Sequence, residues 1–185
     1  MNLEDFFRKH EISDELCLKI SPMFKIVYCK TNNIILNMGE NTQVINLILE
    51  GIVRGYYLDK EGNDVTKCFS KEGDWCCYYN FLQSGPSSFN IEALEDCTLA
   101  QIDVFQLKNM IEKNPSLQSI YTNLTQDAFI QVEERGASFQ KMNAKERYLF
   151  FMQEYPDIMK RVKQEYISSY LGITPSSLSR IKRSL

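Results

Sequence analysis

Near the end of the chain Ser176, Ser177, Ser179, Arg180, Lys182 and Arg183 crowd together with no acid among them. Hydroxyl and guanidinium groups hydrogen-bond to base edges, while ammonium and guanidinium groups pair with phosphates. The chemistry on offer is recognition of a polyanion rather than the making or breaking of bonds. Thr174 adds a further hydroxyl just upstream. Arg180 follows Ser176 by four positions and Ser177 by three, so a helix here would turn all three towards one groove.

Two short helices must position this set. In QEYISSYLGITPSSLSRIKR, Gln164 to Arg183, the residues Ile167, Leu171, Ile173, Leu178 and Ile181 are apolar at offsets that face inward when two helices cross steeply. Ser168 is small where the second helix must approach the first. Gly172 stands where the turn needs a left-handed residue. Thr174 is placed as an N-cap, and Pro175 fits the first helical position, where its missing N–H would be unpaired anyway. The pattern reads as a helix-turn-helix. An ordinary helical hairpin with a solvated basic face has the same apolar spacing.

Charge is distributed unevenly along the chain. From Lys141 onward there are nine basic and four acidic residues, a net +5, which leaves −8 for residues 1–140. An acidic body with a basic tail is the asymmetry expected of a sensor joined to a nucleic-acid reader. The 185 residues suffice for a medium domain and a small one. Nothing resembles a signal peptide and no apolar run approaches the ~20 residues of a membrane span, so a cytoplasmic protein without membrane contact is expected.

Other chemistries find few residues. The cysteines are Cys17, Cys29, Cys68, Cys76, Cys77 and Cys97; none forms a CxxC pair, and none lies close to the single histidine, His10. A zinc or iron–sulfur site is poorly supported, and neither cofactor nor metal is expected. The cysteines read as reduced, mostly buried thiols, with the vicinal pair Cys76–Cys77 as the one redox alternative. A metal cupin needs several histidines, and no Ser–His–Asp or Cys–His arrangement is available, so an enzyme is not expected.

The elements ahead of the tail follow from periodicity. Residues 2–21 read as helical, with Ser13 capping a second segment and Pro22 stopping it. From Phe24 to Val104, short runs rich in Ile, Val, Tyr and Phe alternate with turn residues at about ten-residue spacing. That pattern indicates an antiparallel β-roll or jelly roll, with Asp59–Asn63 as a hairpin tip. Gln106 to Lys113 makes a short helix. Pro115 opens a longer one that runs to about Glu134, with Gly136 near its end. Leu117, Tyr121, Leu124 and Ala128, followed by Val132 or Arg135, form a narrow apolar seam of the kind two parallel helices share. The same face could instead pack on the chain's own roll, with Ile120 and Ile130 as a second apolar set. Asn143 and Glu146 make a capping box for the next helix, and Pro156 breaks it. The fold class is α+β, in three parts: a sensor roll with N-terminal helices over 1–114, a dimerisation helix over 115–138, and an all-α reader over 139–185.

This order resembles the Crp/Fnr family of bacterial transcription regulators over essentially the whole chain. The residues that carry the resemblance are NMGE, LEGIVRGYY, DKEG and KEGDW in the roll, then NAKERYLFF, then YISSYLGITPSSLSRIK. It implies a cyclic-nucleotide-binding-like roll and a homodimer on an inverted-repeat DNA operator. RNA polymerase and a small-molecule effector are the further partners implied. Arg180 matches the recognition-helix arginine that contacts guanine. The effector segment would comprise Gly73, Asp74, Trp75, Ser87 and Ser88. Where nucleotide-binding relatives have Gly-Glu and then an arginine, this chain has Gly73-Asp74 and Ser87, with no basic residue between Trp75 and Leu94. A buried cyclic phosphate needs a charge-assisted donor, so tight binding of cyclic AMP is not expected. Trp75, Tyr78, Tyr79 and Phe81 would fill the barrel or face an apolar or redox ligand. Residues 1–21 hold only Cys17, which disfavours the family's iron–sulfur cluster. The family's β-wing would follow the recognition helix, and the sequence runs only two residues past Arg183, so a full wing is not expected. A second reading remains open, a β-roll binding module whose tail docks a protein partner.

Overall fold

In the computed structural model, residues 1–82 and 85–185 are described, Tyr79 and Asn80 by their backbone alone. Two short helices lead, α1 (Leu3–Lys9) and α2 (Asp14–Ile20). Asn2 and Asp5 cap α1 reciprocally, the Ser13 hydroxyl accepts from the Leu16 N–H at 3.3 Å, and a 3-10 turn at Ser21–Met23 ends α2. The roll follows: β1 (Lys25–Cys29), β2 (Ile34–Leu36), β3 (Val44–Glu50), β4 (Val53–Leu58), β5 (Asp64–Ser70) and β6 (Trp75–Cys76), then a short helix α3 (Tyr78–Leu82), then β7 (Asn90–Ala93) and β8 (Cys97–Asp103). The strands pair antiparallel in two four-stranded sheets, ordered β1-β8-β3-β6 and β2-β7-β4-β5. The hairpin between β4 and β5 closes at Asp59–Asn63, with Gly62 at φ +84°.

Strand alternation sorts the apolar residues into two layers. Ile45, Leu47 and Leu49 of β3, with Ala100 and Ile102 of β8, pack outside the roll against the helices. Ile48 and Leu99 join Val53, Phe89 and Ile91 inside it. The two residues of β6 divide the same way: Cys76 goes in and Trp75 goes out. Trp75, Tyr78 and Phe81 thus pack on the outer layer rather than filling the barrel, which corrects the sequence expectation; the side chain of Tyr79 lies outside the described residues. Inside, the buried Asn46 amide donates to the Cys77 Sγ at 3.7 Å and accepts from Gln101 at 3.0 Å.

After the roll come α4 (Val104–Lys113) and α5 (Pro115–Lys141). The second runs past the expected end near Glu134. Gly136 takes no left-handed conformation and lies in the open, so it weakens the helix without stopping it. The stop is the capping box downstream, where the Asn143 carboxamide accepts from the Glu146 N–H at 3.1 Å and the Glu146 carboxylate accepts from the Asn143 N–H at 2.8 Å. Four helices complete the chain: α6 (Ala144–Glu154), α7 (Pro156–Arg161), α8 (Gln164–Leu171) and α9 (Pro175–Arg183). Their core of Tyr148, Phe151, Ile158, Ile167, Leu171 and Leu178 takes in Ile52 from the β3–β4 turn, so the tail sits directly on the roll. Among the described residues no helix is long and apolar enough to cross a membrane.

Candidate nucleic-acid interface and sensor segment

The tail presents α9 outward. Gly172 ends α8 in the left-handed conformation, φ +67°, and the Thr174 hydroxyl caps α9 by accepting from the Ser177 N–H at 3.1 Å. Leu178 is buried and Ile181 half-buried, which anchors one side of α9. Ser176, Ser179, Arg180, Lys182 and Arg183 are exposed on the other. Ser176, Arg180 and Arg183 succeed one another at helical spacing on that side. Ser177 is half-buried, with its hydroxyl 3.0 Å from that of Thr174. Ser176 is the more exposed of the two, although its hydroxyl also lies 2.9 Å from that of Thr174. No acid lies between Glu165 and the end of the sequence, so this face carries an uncompensated positive charge.

The docking of α8 on β5 holds α9 in that attitude. The Ser169 hydroxyl accepts from the Thr66 N–H at 2.9 Å. Arg135 of α5 donates to the carbonyls of Thr66, at 3.2 Å, of Tyr170, at 3.3 Å, and of Lys67. Arg54 of β4 is 1% exposed; its Nε donates to Glu92 at 2.7 Å, its other nitrogens reach Thr66 and Asp64, and its guanidinium lies 3.7 Å from the Tyr166 ring centre. Arg161 donates to Glu72 at 2.7 and 3.0 Å and also pairs with Glu95. The Arg161 guanidinium holds the Glu72 carboxyl down at about 2, so this pair contributes above the ordinary carboxylate range and is lost as pH falls towards 2. Sequence reasoning passed over Arg54, Glu72 and Arg161, and considered Arg135 only as the end of the α5 seam. The usable signal was an arginine inside an apolar strand, Val53-Arg54-Gly55, because a charge in such a run must be paired.

The residues of the expected effector segment sit on the turn before β6, on β6 itself and in the loop before β7. Gly73 turns at φ +91°, and the Asp74 carboxylate accepts from the Lys71 N–H at 2.9 Å. Trp75 packs its ring against Phe6 and Phe24. Ser87 is buried, donating to the Phe89 carbonyl at 2.7 Å, while Ser88 is exposed. Inside the roll the Phe89 ring lies so close to Gly55 that a Cβ there would meet it at 3.3 Å. The Lys67 ammonium sits 3.6 Å over the same ring, and burial pushes its pKa down.

The expected seam on α5 divides in two. Leu117 is buried in the chain's own outer layer, and Tyr121 packs beside it. Leu124 and Ala128 are half-buried. The large apolar residues that α5 exposes follow further on: Phe129, Ile130 and Val132, then Phe139.

Comparison with known proteins places this geometry. Residues 26–114 match the family model of the cyclic nucleotide-binding domain. A curated relative, the anaerobic regulatory protein of Haemophilus influenzae, is 24% identical over 164 residues; the match covers 81% of this chain and spans 62% of the relative's length. FixK2 from Bradyrhizobium japonicum superimposes with a TM-score of 0.76 at 20% identity, over 88% of this chain and 84% of that one. A CooA mutant from Carboxydothermus hydrogenoformans superimposes with a TM-score of 0.75 at 18% identity, over 100% and 84% of the two chains. The roll, the long helix and the helical tail therefore form a fold that these proteins share.

Proposed function

We propose that this chain is a DNA-binding transcription regulator of the Crp/Fnr type, acting as a homodimer on an inverted repeat. The observation that carries the reading is α9, whose outward face is hydroxylated and basic without an acid, on a helix capped and braced at its N-terminal end. Such a face suits a major groove, with Arg180 and Ser176 at base edges and Ser179, Lys182 and Arg183 towards phosphates; Thr174 and Ser177 shape the entry. A second copy would meet the C-terminal half of α5, where Ala128, Phe129, Ile130 and Val132 are apolar residues not already used by the chain's own core. RNA polymerase and a small-molecule effector are the further partners this reading entails.

Arg180→Ala is expected to lower affinity for a selected DNA site by about 1–3 kcal/mol while leaving non-specific binding much less affected. Lys182→Ala and Arg183→Ala should weaken both kinds of binding and reduce the salt slope by about one unit each. The measurement is selection from random DNA, then binding of the three variants across a salt series. Failure to enrich an inverted repeat, or binding without salt dependence, would favour a protein partner for the tail.

The roll is proposed not to take cyclic AMP. Phe89 lies against Gly55, Ser87 is committed to its own backbone, and the segment from Trp75 to Leu94 has no basic residue. A ligand at 100 times its dissociation constant would stabilise the fold by about 2.7 kcal/mol, so calorimetry and thermal unfolding with millimolar cyclic AMP are expected to show nothing. Low-micromolar binding that disappears in Lys67→Met would overturn this and make Lys67 the phosphate partner.

A further inference from the structure

Trp75 packs outside the roll and Cys76 inside it, so strand alternation would send Cys77 outward again. It is turned back instead. Cys77 takes the left-handed conformation, φ +66°, and both cysteines lie in the inner core, 4% and 3% exposed. Among the described residues, the other non-glycine residues at positive φ are Glu11 and Asn32, and both are exposed. A strained residue at a buried position is held there by its surroundings, and such strain gathers at functional sites. What the turn achieves is to bring two adjacent thiols into one core, hydrogen-bonded to each other. Asn46 fixes the pair. Its carboxamide oxygen accepts from Gln101 at 3.0 Å, which turns its N–H towards the Cys77 Sγ at 3.7 Å.

This arrangement makes the two sulfurs unequal. The Cys76 thiol and the Asn46 amide hold the Cys77 thiol below its ordinary range, against the effect of burial. The same thiol contact, together with burial, pushes Cys76 well up. Cys77 is therefore the better nucleophile, and Cys76 keeps its proton until a leaving group needs it. We propose that Cys76 and Cys77 are a redox-modification site, oxidised by hydrogen peroxide to a vicinal disulfide. The Cys77 sulfur attacks one peroxide oxygen; the S–O bond forms, the O–O bond breaks, and the departing hydroxide becomes water with the proton that Cys77 gave up. The Cys76 sulfur then attacks that of Cys77; the S–S bond forms, the S–O bond breaks, and the hydroxide leaves as water with the Cys76 proton. The thiols lose two electrons and two protons, and the peroxide becomes two waters. Burial selects the oxidant, because hydrogen peroxide is little larger than water whereas a glutathione or protein disulfide is far too bulky to reach these sulfurs. Adjacent residues close a small strained ring, so a dithiol reduces it again readily, as with other labile disulfides. The competing pair is Cys29 and Cys97, directly opposite each other across β1 and β8. Burial pushes both of those thiols up, Cys97 to about 11, which leaves little thiolate to react. The proposal stands whether or not α9 reads DNA.

The full chain, reduced and freed of reductant, is treated with equimolar hydrogen peroxide in the absence of oxygen, then unfolded in the presence of an alkylating agent. Peptide mass spectrometry is expected to find the Cys76–Cys77 fragment unalkylated and lighter by two hydrogens. Cys17, Cys29, Cys68 and Cys97 should be alkylated, and dithiothreitol should restore the pair. The pair should be lost at least about tenfold faster than any other cysteine. Cys76→Ser removes the resolving thiol and should leave on Cys77 a sulfenic acid that dimedone traps. Cys77→Ser should abolish the fast reaction. The wild-type map needs neither variant, so the test holds if one of them fails to fold. Full alkylation of Cys76 and Cys77 after peroxide, a disulfide that joins Cys97 to any other cysteine in place of the vicinal one, or oxidation of the pair no faster than that of the other thiols would overturn the proposal.

Discussion

Arg54→Met is expected to destabilise the protein by about 3–5 kcal/mol, the range for breaking a buried ion pair by removing one partner. The guanidinium is 2% exposed and Glu92 13% exposed, so its removal leaves the Glu92 carboxylate largely out of water without a cation. Asp64 is nearly half-exposed and recovers its solvation easily, and therefore adds little. Methionine keeps much of the aliphatic stem but loses the guanidinium that lies over the Tyr56 and Tyr166 rings, so the loss includes those cation–π contacts. Urea unfolding measures the effect, and the double variant Arg54→Met/Glu92→Gln should recover more than half of it. A loss below about 1 kcal/mol in Arg54→Met would mean that water reaches Glu92 and that the pair is in effect a surface one. Since Tyr166 belongs to α8, the same variant should also loosen the tail from the roll, visible as faster proteolysis in the α5–α6 connection.

Gly172→Val should cost about 2–4 kcal/mol, from two separable sources. One is conformational: a β-branched residue is a steric outlier at φ +67°, worth about 1–2 kcal/mol. The other is contact, because a Cβ at this position would lie 2.7 Å from the Phe139 ring and force it to move. In a Phe139→Ala background only the conformational part should remain, so the two substitutions should couple by about 1 kcal/mol or more. Chemical unfolding of the four proteins of this cycle provides the test. Strict additivity would show that Phe139, 45% exposed, swings aside freely.

The parts of the molecule legible in the sequence are those decided within one turn of chain. Ser13, Asn143, Thr174, Pro175 and Gly172 cap or end helices as read, because a cap is a bond between neighbours. The β-roll is also as read, since turn residues and alternating strands repeat at short range. Long-range choices were not legible. Arg54 meets Glu92 across 38 residues and Arg161 meets Glu72 across 89, and no local pattern couples them. Trp75 and Cys76 sit on a two-residue strand, too short to show alternation, so which of them faced inward depended on pairing with β3. The α5 helix carries apolar residues on more than one side. Spacing alone did not reveal that Leu117 and Tyr121 were taken by the chain's own outer layer, leaving Phe129 and Val132 outside.

The seat of α8 on β5 has a further consequence. β5 ends its sheet, and a terminal strand presents an open row of backbone donors and acceptors to any other strand that drifts past. Here that row is already occupied: the Ser169 hydroxyl takes the Thr66 N–H, and the Arg135 guanidinium takes the Thr66 and Lys67 carbonyls. Side chains from the helices thus stand in for a ninth strand. They satisfy the middle of this border without extending the sheet, which blocks another strand from pairing along β5 there. The helices that carry the basic face are in this sense also the roll's protection against aggregation, and the two halves of the molecule are obliged to stay together for a reason that has nothing to do with signalling.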